Sequence, residues 1–365
     1  MKTPDKIRFC RSADGTAVAF AISGNGPPVL RLAGLFTHLE FDRSSPVWRP
    51  WYSVLERERT LIRYDARGSG LSDVRDVQYS FEAYIHDVEA VIAASGFQKV
   101  ALFGIGGPAA LGIAYAALHP DRVSHLVLYA PFTKGRLARA ACTAEVDEIE
   151  TVLKLMSFGL DGDDPSRRQM VVSQFLPDAT ADQLSAFGEL LRIAATPRNT
   201  VDSLRAWYKS DVTAYLDKIR CPTLVFHPRG GFRVPLEEGR VVANSIPGAK
   251  LISLTTRNTY PPDGDPAWDQ IAPEIEAFLP CRDRSPADNT ERSTALLTER
   301  EQRIFDGVVQ GLGNKQIARE MGISEKTVRN QLSVIFRKLS VTSRSKLIVW
   351  AHRGDDQGRR HPGKR

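Results

Sequence analysis

Cysteine is scarce in this 365-residue chain, and what there is lies far apart. Cys10, Cys142, Cys221 and Cys281 form no close pair, and no histidine joins them in a ligand-like cluster. That spacing argues against a zinc site and against a secreted scaffold stapled by disulfides. No apolar run approaches the ~20 residues needed to span a bilayer, and no leader-like segment is visible at the start. Internal repeats are lacking as well. The expectation is a soluble, cytoplasmic protein with no metal, no cofactor and no membrane contact.

What is present suffices for two domains and one sizeable core. The formal net charge is +6, but it is unevenly spread. From Glu291 onward 16 Lys and Arg face 8 Asp and Glu, whereas residues 1–290 carry 33 against 35. Basicity is therefore local to the C-terminal segment, as expected where counterions are displaced from DNA.

Helix signals crowd that segment. Thr298 with Glu301 makes a capping box, in which each side chain satisfies a backbone donor left open at a helix start. Ile304, Phe305 and Val308 then share one face, and Gly311 ends the helix. Asn314 is placed to cap a second helix burying Ile317, Ala318 and Met321. Gly322 makes the turn, and Ser324 is placed to cap a third helix. There Val328, Leu332, Ile335, Phe336 and Leu339 recur at core spacing, leaving Lys326, Arg329, Asn330, Ser333 and Arg337 opposite. Cations and an amide on one face suit a helix in the major groove, where base edges are read by hydrogen bonds. Charge alone does not separate that face from the solvated side of a structural helix.

The wider pattern does. Leu297-Thr298-Glu299-Arg300-Glu301, Gly311-Leu312-Gly313-Asn314-Lys315-Gln316-Ile317-Ala318, Ile323-Ser324-Glu325-Lys326-Thr327-Val328-Arg329-Asn330 and Val341-Thr342-Ser343-Arg344 together resemble the LuxR-type DNA-binding domain. The resemblance runs from about Leu297 to Ala351. It implies four helices, double-stranded DNA as partner, a homodimer reading two half-sites, and RNA polymerase as a further candidate partner. It assigns base reading to Arg329, Asn330 and Ser333 and phosphate contacts to Lys326 and Thr327, where the helix dipole helps. Arg337 lies further along the same face. Gln331 stands where many relatives carry His.

The N-terminal part reads as short strands at Ile7–Cys10, Ala17–Phe20, Pro28–Leu32, Thr60–Tyr64, Val100–Phe103, Val123–Leu128 and Thr223–Phe226. Helical stretches alternate with them, one over about Phe81–Ala94, which implies a mostly parallel sheet covered on both faces. The turn Gly104-Ile105-Gly106-Gly107-Pro108-Ala109 has two readings. It fits a dinucleotide fingerprint, and it also sits where a strand-to-helix elbow would carry a nucleophile. Several strands precede it, which favours the elbow.

Asp65-x-Arg67-Gly68-x-Gly70-x-Ser72, His119-Pro120-Asp121-Arg122-Val123 and Val234-Pro235-Leu236-Glu237-Glu238 support that choice. With the elbow they resemble the α/β-hydrolase family across roughly residues 5–280. The implied fold class is α/β, with a helical lid at about 133–216, followed by a small all-α domain. The domain limits read as 1–280 for the hydrolase-like part, 281–295 for a linker, 296–352 for the DNA-binding part and 353–365 for a basic tail.

Hydrolysis in this fold needs a serine, a histidine that takes its proton and a carboxylate that orients the histidine. The resemblance puts these stations at Gly106, Thr259 and Gly231. None has the required group, so no catalytic residue is expected and the domain is read as no enzyme. Ser69 and Ser72 fall in the loop after Thr60–Tyr64 and read as loop stabilisers. The cavity should survive, with backbone N–H groups of Leu35 and Gly107 as an oxyanion-hole-like pair. Candidate ligand-binding residues are Leu35, Phe36, His38, Trp48, Gly106, Gly107, Phe132, Trp207, Tyr208, Phe232 and Tyr260. The expected function is a transcription regulator whose inert hydrolase-like domain senses a small, largely apolar molecule. Two alternatives stay open: a residual or unusual hydrolase fused to a DNA-binding module, and a ligand-free dimerisation or interaction domain.

Overall fold

The computed structural model describes residues 5–34, 36–231, 233–282, 297–338 and 343–348. The chain divides into two compact units, Met1–Arg282 and Asp283–Arg365. The linker and basic tail expected from the sequence lie outside the described residues almost entirely.

The first unit is built on eight strands: β1 (Ile7–Arg11), β2 (Ala17–Gly24), β3 (Pro28–Arg31), β4 (Thr60–Tyr64), β5 (Val100–Ile105), β6 (Val123–Tyr129), β7 (Thr223–Pro228) and β8 (Lys250–Leu254). They form one sheet in the order β1-β2-β4-β3-β5-β6-β7-β8. From β4 to β8 all neighbours run parallel, and the β1–β2 hairpin closes one edge antiparallel. The edge strand β8 was not singled out from the sequence, and its half-exposed pattern explains why.

Side-chain alternation sorts the central strands into two cores. Ala101, Phe103, Val127, Tyr129, Leu224 and Phe226 join the core on one face, whereas Leu102, Leu126, Leu128 and Val225 join the other. Both faces are buried, so the strands read as continuous apolar runs. Helices α1 (Trp48–Leu55), α2 (Phe81–Ser95) and α3 (Gly107–Leu118) cover them, with α8 (Leu236–Ser245) and α9 (Trp268–Phe278) later in the chain. Ser80 caps α2 by accepting the Ala83 N–H at 3.1 Å, and Gly96 closes it at φ 81°. Between β6 and β7 lies the expected lid: α4 (Thr143–Leu160), α5 (Pro165–Val172), α6 (Ala181–Ala194) and α7 (Pro197–Lys209).

The loop after β4 is held by a buried arginine. Arg67 binds Asp87 of α2 through Nε at 2.8 Å and Nη2 at 2.7 Å, and also reaches Ser12, Asp14 and the carbonyls of Gln78 and Ala83. Ser72 accepts the Ala19 N–H at 2.9 Å and donates to the Asp65 carbonyl at 2.7 Å. Ser69 donates to the Ala66 carbonyl. Both serines therefore serve the loop, as read from the sequence.

The second unit contains α10 (Glu299–Val309), α11 (Asn314–Met321) and α12 (Glu325–Lys338), and residues 344–348 are helical. Ile304, Phe305, Val308, Ile317, Ala318, Val328, Leu332, Ile335 and Leu347 pack into one small core. Thr298 and Glu301 form the expected capping box. One detail differs: Gly313, not Asn314, is the cap of α11, and Gln316 accepts the Gly313 N–H at 2.8 Å. Asn314 is already helical, and its side chain instead accepts a hydrogen bond from Arg344. The turn holds as read, with Gly322 left-handed at φ 65° and Ser324 accepting the Thr327 N–H at 3.1 Å.

Glu301 is buried and also receives Lys338 Nζ at 2.6 Å, which ties α10 to the end of α12. The Lys338 hydrogen bond, with the Thr298 N–H, holds its carboxyl below the usual range. A depressed pKa contributes stability above the unfolded value, about 4.3, and loses it as pH falls through the folded one. Glu301→Gln is therefore expected to lower the melting temperature of this unit at pH 7. The difference from wild type should shrink below about pH 4 in a calorimetric pH series.

Candidate functional site

β5 ends at Ile105, and the chain turns at Gly106 with φ 63° and ψ −118° before entering α3. That positive-φ backbone lies outside the αL basin and costs an L-residue roughly 1–3 kcal/mol. Glycine adopts it freely. A Cβ built at Gly106 meets nothing within 4 Å, so the turn faces open space. Gly104 is different. A Cβ there would lie 2.5 Å from the Pro108 carbonyl oxygen, because α3 passes directly over the strand end.

The open space belongs to a cavity of about 660 Å³ that is partly open to solvent. Gly34, Gly106, Gly107 and Pro108 form its floor, and Thr259 and Tyr260 come from the loop after β8. Phe36, Phe132, Phe175, Leu204, Trp207, Tyr208 and Val234 supply apolar walls. Trp207 of α7 stacks on Tyr84 of α2, with centroids 4.2 Å apart and planes within 7°. Its ring also crowds the backbone at Gly107, where a Cβ would approach within 2.7 Å. Burial pushes the Tyr260 phenol up to about 12, against the opposing fields of Arg233 and Arg31, so it stays neutral at physiological pH.

Of the residues expected to bind a ligand, Phe36, Gly106, Gly107, Phe132, Trp207, Tyr208 and Tyr260 do line this cavity. Trp48 lines a smaller one of about 240 Å³ that shares Gly34, Phe36, Pro108 and Tyr260 with the first. Its indole N–H donates to the Phe36 carbonyl at 2.7 Å. His38 is a correction: it lines neither cavity. Its ring packs edge-on against Phe41 at 4.7 Å, and Nδ1 accepts the Glu40 N–H, so it serves its own turn. Leu35 and Phe232 lie outside the described residues.

Sequence reasoning missed Phe175 and Leu204 from the lid, and every cation around the cavity. Lys134, Arg136 and Arg139 follow β6, and Arg233 follows β7. Arg31, at the end of β3, lines the smaller cavity. It is fully buried over the Trp48 ring and pairs with Asp42 at 3.2 Å, while Nε and Nη1 have no partner among the described residues.

Among the three catalytic stations read from the sequence, Gly106 and Thr259 both line the cavity. Gly231 lies after β7 beside Pro228 and does not. Glu238 is held by Thr133, through its N–H and Oγ1, both at 2.8 Å. Asp265 accepts Thr256 Oγ1, Asn258 Nδ2 and the Ala267 N–H.

A family model described as the alpha/beta hydrolase fold matches residues 27–257, nearly two thirds of the chain. The chain belongs to the α/β-hydrolase fold family. A hydrolase structure from Pseudomonas aeruginosa superposes with a TM-score of 0.60 at 23% identity, covering 74% of this chain and 98% of that one. That likeness concerns the fold alone. Residues 295–351 match the bacterial regulatory proteins of the luxR family. The spore germination protein GerE of Bacillus subtilis is 48% identical over 58 residues, 16% of this chain and 78% of GerE. The nitrate/nitrite response regulator NarL of Escherichia coli is 39% identical over 82 residues, 22% of this chain and 36% of NarL. The C-terminal unit is thus a luxR-type helix-turn-helix that binds double-stranded DNA, and the chain is a DNA-binding transcriptional regulator fused to an α/β-hydrolase fold.

On α12, the third helix of that unit, Lys326, Arg329, Asn330 and Ser333 are exposed and Thr327 is half-buried. Val328, Leu332 and Ile335 face inward, as the spacing predicts. Arg329 pairs with Glu325 one turn earlier at 3.2 Å, and both are exposed, so the pair constrains Arg329 little. Ser333 Oγ donates back to the Arg329 carbonyl, and Thr327 Oγ1 lies 2.8 Å from Ser324 Oγ. The Arg337 side chain and Leu339 fall outside what is described.

The elbow geometry yields a stability test. Gly106→Ala should cost about 2 kcal/mol, the strain of an L-residue at this positive φ with open space around it. Gly104→Ala should cost more, about 3 kcal/mol, since backbone on both sides must separate. Urea unfolding followed by tryptophan fluorescence ranks the two variants.

Proposed function

We propose that the hydrolase-fold domain is a catalytically inert receptor for a small ligand, and that occupancy of its cavity governs DNA binding by the luxR-type domain as a homodimer. The observation that carries the reading is Gly106 at the elbow. A residue without a side chain occupies the one backbone position from which this fold presents a nucleophile, and a cavity opens above it. Thr259, which lines the same cavity, is the residue read as the proton-acceptor station, and it offers only a hydroxyl there. Of the carboxylates near the remaining stations, Glu237 and Asp263 are exposed and paired with Arg240 and Arg49, and Glu238 and Asp265 are engaged by neighbouring side chains and backbone. A cavity whose walls are mainly apolar, with four cations among them, remains suited to binding without chemistry.

Regulation then needs a ligand that prefers one conformation, since an equilibrium shifts only by the difference in affinity for its two states. Dimerisation fits a single small reader, which has limited affinity alone and gains it from two half-sites. A cytoplasmic setting and contact with RNA polymerase belong to the same proposal.

Two measurements test it. Purified wild-type protein and Gly106→Ser are both expected to show no esterase turnover above buffer, because base and acid are missing from their stations. Turnover in either would overturn the reading of Thr259 and Gly231. On DNA, Arg329→Ala should cost about 1–3 kcal/mol on the specific site and relax its sequence preference. Lys326→Ala should weaken all sequences alike and lower the salt slope by about one. Equal loss on specific and random duplexes with Arg329→Ala would contradict the assignment.

A further inference from the structure

We infer that the ligand of the hydrolase-fold cavity is an acidic amphiphile, a carboxylate on an apolar body, and that its acid group pairs with Arg233. This deepens the receptor reading above and rests on it.

The cavity wall carries Lys134, Arg136, Arg139 and Arg233, and no Asp or Glu among the described lining residues. Three of these cations are answered from outside the cavity: Lys134 by Asp211 at 3.3 Å, Arg136 by Glu148 at 3.5 Å and Arg139 by Glu238 at 3.3 Å. Arg233 is not. Its guanidinium lies 4.1 Å from the Phe175 ring centroid, and Nη2 donates to Tyr208 Oη. No carboxylate pairs with it among the described residues. An aromatic face and one hydroxyl hold the group in place while most of its five N–H donors stay available. A planar fork with open donors is what a carboxylate pairs with best.

Its place in the chain gives the sign meaning. Arg233 sits in the loop after β7, the loop that in this fold supplies the acid of the triad. There an acid would repel an anionic ligand; this chain offers a cation instead. Two further sources push the potential the same way. The floor is the N-terminus of the 12-residue helix α3, the positive end of its dipole, at Gly107. The fully buried Arg31 lines the smaller cavity, which shares four lining residues with the first, and its Nε and Nη1 are unpartnered among the described residues. Low-dielectric walls focus these fields into the chamber. Phe36, Phe132, Phe175, Leu204 and Trp207 receive the apolar body.

The test titrates the full-length protein with octanoate and 4-phenylbutyrate, and with octan-1-ol and 4-phenylbutan-1-ol as neutral partners. Calorimetry and tryptophan fluorescence give the affinities. The acids should bind at least about tenfold more tightly than the matched alcohols, the gain of one charge-assisted pair. Arg233→Gln should reduce the ratio to near one by weakening the acids far more than the alcohols, and Arg233→Lys should retain a preference for the acids. An unliganded melting temperature for each variant checks that it folds. Alcohols that match the acids on wild type would overturn this inference and leave the receptor reading standing. A preference for acids that survives Arg233→Gln would remove Arg233 from the role. Failure of all four compounds to bind at millimolar concentration would count against both the inference and the receptor reading.

Discussion

The close passage of α3 over the end of β5 is the contact from which the rest of the hydrolase-fold domain takes its shape. Gly104 has no room for a Cβ because the Pro108 carbonyl lies over it, and this closeness forces the positive-φ turn at Gly106. The turn sends α3 back across the sheet, where Ala109, Ala110, Ile113 and Ala114 bury completely against Leu102, Leu126 and their neighbours. Small residues on that face keep helix and sheet near each other. The price of such closeness elsewhere in the fold family is a strained side chain at the turn. Glycine removes the strain, and with it the side chain.

Buried arginines organise the surroundings. Arg67 ties the loop after β4 to α2 and to the turn between β1 and β2, and nearly all its donors are satisfied. Asp42 gathers Arg31, Arg63 and the Tyr52 hydroxyl beneath the loop that follows β3. A buried charge tolerates such a place only when it is paired. Arg67 meets that condition in full. Arg31 meets it with a single bond, and it lines the smaller cavity.

Much of this was legible in the chain. Alternating strands and helices, the turn at Gly106 and the place of Thr259 beside the cavity follow from local patterns that keep their meaning wherever the fold places them. The capping box at Thr298 and the inward face of Val328, Leu332 and Ile335 were readable for the same reason. The cations around the cavity were not: Lys134 and Arg233 are brought together across almost a hundred residues by the order of β6 and β7 in the sheet, and no local pattern records that. His38 looked like a cavity residue because its loop borders one, but the turn at His38–Asp42 points the ring at Phe41. Asn314 looked like a cap because asparagine is a good one. Gly313 holds the extended backbone that the cap needs, and Gln316 closes back on it.

Trp207 carries one more implication. It belongs to the lid, yet it stacks on Tyr84 of the body and presses on the floor at Gly107, while Ser203 one turn earlier bonds the Tyr84 hydroxyl at 2.5 Å. Under the receptor reading, an indole wedged between roof and foundation would join the chamber's filling to the lid's posture. A molecule settling there would lean on Trp207 or shoulder it aside, and α7, which carries that ring, would register the difference.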